Sequence, residues 1–141
     1  MPNDPTVHFE YNGDDADRSR VAYENGDSEQ LKLTAVAPEL YRLEESSFAG
    51  EAVYGDIIRV HHMSDGALLF REIAECSTLT TQSWILSESV LGTERIRRVL
   101  AKVIDAAGMW EQAFGGMLIV HTPPGIAKAI FDEITQASSK V

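Results

Sequence analysis

The sequence predicts an α+β fold with a mostly antiparallel sheet. A small barrel-like N-terminal half precedes a partial ferredoxin-like β-α-β-β-α half. Three observations carry this expectation. Up to Leu86 the apolar residues alternate in short runs separated by turn residues. From Thr93 the apolar spacing changes to that of a helix. Gly115-Gly116 and Pro123-Pro124-Gly125 then punctuate a hairpin and a last helix. Strands first, then strand, helix, strand, strand and helix, is a segregated order that argues α+β.

Each element has its own reason. Val7, Phe9 and Tyr11 alternate with His8 and Glu10, as in a short strand with one apolar face. Residues 12–28 are rich in Asp, Asn, Gly and Arg and predict a long polar loop. Leu31, Leu33, Ala35 and Ala37 mark a second strand, which Pro38 ends because proline cannot donate to a ladder. Leu40 to Leu43 is a brief third strand. The connection Phe48 to Gly55 holds two glycines for sharp turns. In the strand from Asp56 to Met63, Ile58, Val60 and His62 share one face. Ser64-Asp65-Gly66 is a hairpin signal. The return strand puts Leu68, Phe70, Ala74 and Cys76 on one face. After a polar break at Thr78 to Thr81, residues 82–86 form the next strand.

The spacing of Ile96, Val99, Leu100, Val103, Ile104 and Ala107 predicts a helix over 93–107. Thr93 caps it, Glu94 suits its positive end and Gly108 stops it. Met109 to Phe114 and Met117 to His121 form a hairpin around the glycine pair. Pro124 fits the first turn of a final helix with Ala127, Ile130, Phe131 and Ile134 apolar. The 141 residues form one expected domain, with residues 1–6 and 138–141 frayed.

Composition excludes several function classes. A net charge of -10 repels phosphate backbones, against nucleic-acid binding, and repels anionic membranes. It suits a basic protein partner. No apolar run approaches the roughly 18 residues of a membrane span, and Met1 to Pro5, without a basic start or apolar run, lead to the expectation of no secretory signal. A single cysteine allows no intrachain disulfide and fits a reducing, cytoplasmic setting.

Candidate chemistry is sparse. Asp14, Asp15 and Asp17 lack the glycine and distal glutamate of a calcium loop. His61 and His62 are strand neighbours on opposite faces, a poor pair for one metal. His8 and His121 lie far off, and His61 and His121 are expected at the surface. Neither zinc-type spacing nor a phosphate loop occurs, so no metal and no cofactor are expected. Cys76 is in phase with Leu68 and Phe70, as a packed thiol would be. Asp56 is expected to accept backbone N–H groups in its turn, and His62 to be hydrogen-bonded and partly buried. Trp84 and Trp110 are expected to pack on a sheet face. Asp56, His62, Arg71 and Thr81 are the residues from which a dispersed polar site could assemble. Arg95, Arg98 and Lys102 lie on one side of the first helix and form a candidate interface.

Tyr41-Arg42-Leu43, Phe48, Tyr54-Gly55-Asp56-Ile57-Ile58, Asp65-Gly66 and Phe70-Arg71-Glu72-Ile73 resemble the bacterial family called domain of unknown function 4265. The resemblance spans Val7 to about Thr135 and rests on turn and core residues. It implies no activity. A Ser-Gly-His-like element frequent in that family falls here at Ser77, Thr78 and Leu79, so its glycine and histidine are missing. The expected function is a non-catalytic binding or regulatory module acting through a protein partner or self-association. The alternatives are an enzyme with a dispersed polar site, and a small-molecule sensor with its ligand between the barrel and the helices.

Overall fold

The computed structural model describes residues 18–139. They fall into two compact units, meeting in sequence between Ser77 and Thr78. The expected strand around Val7 to Tyr11 lies outside the described residues.

The first unit is a closed five-stranded barrel: β1 (Arg18–Ala22), β2 (Ser28–Ala37), β3 (Leu40–Leu43), β4 (Ile57–His62) and β5 (Leu68–Glu75). Neighbours pair antiparallel in chain order, and a short parallel pairing of Val21-Ala22 with Leu68-Leu69 closes the ring. β1 corrects the expectation of a polar loop over 12–28. Its sequence, Arg-Ser-Arg-Val-Ala, has one large apolar residue, Val21, and gains strand structure by pairing on both sides rather than from its own pattern. Val21, Leu31, Leu43, Ala52, Ile58, Val60 and Leu68 fill the interior.

Three acidic side chains hold the long connection between β3 and β4. Glu29 accepts the hydroxyls of Tyr23 and Ser47, and the N–H groups of Phe48 at 3.0 Å and Ala49 at 3.2 Å. Glu45 pairs with Arg18 at 2.9 Å and accepts Lys32 N–H at 2.8 Å. Asp56 accepts Val53 N–H at 3.0 Å and Ser77 N–H at 2.7 Å. Gly50 lies so close to the Tyr23 ring that a Cβ there would stand 2.7 Å from Cε1. The motif Phe48 to Asp56 therefore reads as an anchored structural loop.

Register irregularities between Arg59 and Val60, and between Ile57 and Ile58, shift the phase of β5. Val60 pairs Phe70 while Arg59 pairs Glu72, so Arg71 is the extra residue of a β-bulge. Phe70 and Ile73 both pack against the core, with Arg71 and Glu72 both outside. Simple alternation breaks there. Cys76, placed inward by that alternation, is instead exposed.

The second unit contains β6 (Thr80–Ile85), α1 (Glu88–Leu91), α2 (Glu94–Asp105), β7 (Met109–Ala113), β8 (Met117–Thr122) and α3 (Pro124–Ser139). The sheet order is β6-β8-β7, all antiparallel. The element order strand, helix, strand, strand, helix is that of the expected half, with a short α1 before α2. The core is built from the buried sides of α2 and α3 against Leu118 and Val120 of the central strand.

Thr93 caps α2 as expected, its hydroxyl accepting Ile96 N–H at 3.4 Å. The left-handed residue after α2 is Ala107, φ 68°, rather than Gly108. Gly108 is needed for another reason: a Cβ there would stand 2.4 Å from the His121 carbonyl oxygen. In the β7–β8 hairpin Ala113 pairs Met117, and within the three-residue loop both Phe114 (φ 53°) and Gly115 (φ 78°) are left-handed. α3 continues to Ser139, past the expected fraying point, and buries Ala137. No described helix is long and apolar enough to cross a membrane.

Candidate functional site

The four residues from which a polar site could assemble are scattered. Asp56, only 5% exposed, is consumed by its two backbone N–H groups. His62 is exposed rather than partly buried. Its Nε2 lies 2.9 Å from the Pro38 carbonyl, which makes it the donor, and its ring leans on Tyr41. The last residue of β4, it projects beyond the interior that Ile58 and Val60 fill. Arg71 stands on the outside of the barrel. Thr81 belongs to the second unit. None of the four is bonded to another among the described residues.

Two local constellations remain. On the barrel, Glu39, Arg59, Val60, His61 and Arg71 line an open depression of about 390 Å³. β4 supplies Arg59 and His61 on its outward face, and the bulge in β5 adds Arg71. Arg59 is neutralised by Glu72 at 2.9 Å. No hydrogen bond or ion pair engages the side chains of Arg71, His61 or Glu39 among the described residues. Arg71 thus keeps a full hydrogen-bonding fork for an outside acceptor.

In the second unit, β8 places His121 between two strands. Thr81 of β6 lies opposite it in register, and Glu111 of β7 lies one diagonal step away. His121 Nε2 is 2.5 Å from Glu111 Oε2, and His121 Nδ1 is 2.8 Å from Thr81 Oγ1. His121 is 0% exposed and Glu111 1%, whereas Thr81 is exposed. The expectation of a surface His121 is corrected here: the side chain is fully buried. Thr81 was the one member singled out from the sequence. Glu111 was not singled out and His121 was read as a surface residue, although each interrupts an apolar strand, and a polar residue at such a position requires a partner.

The basic stripe on α2 is largely engaged within its own unit. Arg98 pairs with Glu94, Lys102 with Glu133 at 2.9 Å, and Arg95 reaches Gln136 at 3.4 Å. Trp84 lies partly buried on the helical side, donating Nε1–H to Thr135 at 3.3 Å and facing Phe131. Trp110 also packs against that core. Among the described residues no group of three or more His, Cys, Asp or Glu could hold a metal ion.

No family model matches the chain, and no curated protein matches it. The chain is similar to a solved structure described as a novel crystal structure of a hypothetical protein from Neisseria gonorrhoeae. The two share 19% identity at a TM-score of 0.56, over 85% of this chain and 88% of that one. That likeness shows the fold, α+β.

Proposed function

We propose that the protein is a binding module acting through a protein partner, and that the barrel takes a carboxylate of that partner at the Arg71 depression. The observation carrying this reading is Arg71 itself: a guanidinium turned outward by a bulge, without a counter-ion among the described residues, beside the unengaged imidazole of His61. Bulges recur where a side chain is re-aimed for use. A planar guanidinium suits bidentate capture of a carboxylate.

The chain's charge of -10 opposes an acidic partner at long range. At physiological salt that field is screened beyond about 8 Å. A contact pair acts inside that length; an exposed one contributes about 0.2–1 kcal/mol, and its share of the binding should weaken as salt rises. The dispersed set Asp56, His62, Arg71 and Thr81 gives little support to an enzyme built from those four, because they make no bonds to one another. The lone thiol and the family resemblance suit a cytoplasmic bacterial protein.

The test is affinity capture from lysate of the source organism with three baits: wild type, Arg71→Glu and Arg97→Glu. The two variants change net charge equally, but Arg97 lies on α2, in the other unit. A stoichiometric protein recovered by wild type and Arg97→Glu, and lost with Arg71→Glu, is the expected result. Identical recovery by all three baits would overturn the reading. Recovery of the protein's own chain alone would replace the partner with a second copy.

A further inference from the structure

We propose that Thr81 is a nucleophilic hydroxyl, activated by His121 and Glu111, that accepts an acyl group from an activated ester. The inference is independent of the barrel reading, since all three residues belong to the second unit.

One arrangement of protons gives the three groups a direction. With Glu111 Oε2 as the acceptor, the 2.5 Å contact places a proton on His121 Nε2. In the tautomer with no proton on Nδ1, the lone pair of His121 lies there. The 2.8 Å contact makes Thr81 the donor to that lone pair. A carboxylate orients a base, and the base accepts from a hydroxyl, which is the role sequence of an activated nucleophile. The burial gradient runs the same way. Glu111 and His121 are withdrawn from water, while Thr81 is exposed, where a substrate can reach it.

The bland alternative is a hydroxyl that merely satisfies a buried imidazole. It accounts for the bond between Thr81 and His121 but assigns no reactivity to the exposed hydroxyl.

The step balances without any redox partner. Thr81 Oγ1 attacks the ester carbonyl carbon as its proton passes to His121 Nδ1. The Oγ–C bond forms, the bond from carbon to the leaving oxygen breaks, and the leaving group takes the proton from Nδ1. Acyl-Thr81 and an alcohol or phenol result. General-base assistance of this kind contributes typically about 10²–10⁴-fold.

The probe is p-nitrophenyl acetate, used on a Cys76→Ser background because Cys76 is exposed. The expected result is one acetyl group per chain, mapped by peptide mass spectrometry to Thr81, with a matching burst of nitrophenolate. Thr81→Ser should retain the burst and Thr81→Val should abolish it. Acetylation spread over lysines with none at Thr81, or a burst unchanged in Thr81→Val, would overturn the proposal. Nitrogen-15 NMR of wild-type histidines gives a second readout that needs no variant to fold. A neutral His121 with its proton on Nε2 supports the relay, whereas a proton on Nδ1 overturns it, because that nitrogen could then accept nothing from Thr81. Glu111 is the positioning residue, and Glu111→Gln should lose the fixed tautomer.

Discussion

Replacing Asp56 by alanine tests whether the Phe48 to Asp56 loop is held together as described. The carboxylate is buried and accepts two backbone N–H groups, Val53 at 3.0 Å and Ser77 at 2.7 Å. Alanine strands both donors. A hydrogen bond to a charged group contributes about 1.5–3 kcal/mol, so two set a ceiling of about 3–6 kcal/mol. Water entering the vacated space recovers part of this, and the expected loss is about 3 kcal/mol. Against a typical domain stability of about 5–15 kcal/mol that is a large fraction. Asparagine keeps one acceptor oxygen but turns an NH₂ toward the other donor, so Asp56→Asn should recover about half the loss. Urea unfolding followed by circular dichroism measures both variants. The midpoint should fall in the order wild type, Asn, Ala, with the slope unchanged. An alanine variant within about 0.5 kcal/mol of wild type would refute the reasoning, that being the range of an ordinary surface substitution. A more stable alanine variant would go further, and would mark Asp56 as a strained functional carboxylate.

Burial, then the adjoining Glu29 carboxylate, holds the Tyr23 phenol well above its ordinary value of 10.0. Its folded-state value being raised, Tyr23 contributes stability that is whole below pH 10 and lost as pH climbs toward the folded value; alkaline unfolding should be shallower in Tyr23→Phe. Gly50→Ala drives a methyl to 2.7 Å from a Tyr23 ring already fixed by Glu29, Ser47 and Phe70, and should cost about 1–3 kcal/mol by thermal or urea unfolding. Cys76 is exposed, so a thiol-disulfide reagent should label it in the native protein as fast as in urea; strong native protection would show that it is packed.

Local physics in the sequence determined the elements whose evidence is contiguous. Ile96, Val99, Leu100 and Val103 recur at helical spacing behind a threonine cap, and α2 forms there. Gly115-Gly116 between two apolar runs gives the β7–β8 hairpin, and Pro124 opens α3. Asp56 before Ile57-Ile58 announced a turn carboxylate, and it is one. Thr81 was named from the sequence only as a residue of a polar break and of a dispersed polar set, and neither of its partners was in that set.

Tertiary structure decided the rest, because the deciding partners are distant in sequence. Arg-Ser-Arg-Val-Ala becomes β1 only by pairing with β2 and with β5, some fifty residues on. A bulge in β5 makes Arg71 an extra residue that lines the depression, and Cys76 lies exposed beyond the end of that strand; alternation counted along one strand cannot register a bulge defined by its partner. His121 meets partners on both sides because β8 is the middle strand, and sheet order is a property of the pairing. Glu111 meets it across a hairpin diagonal and Thr81 across a ladder 40 residues away in sequence. The sequence thus determined which segments turn, cap and coil, and the pairing of those segments determined which polar side chains meet.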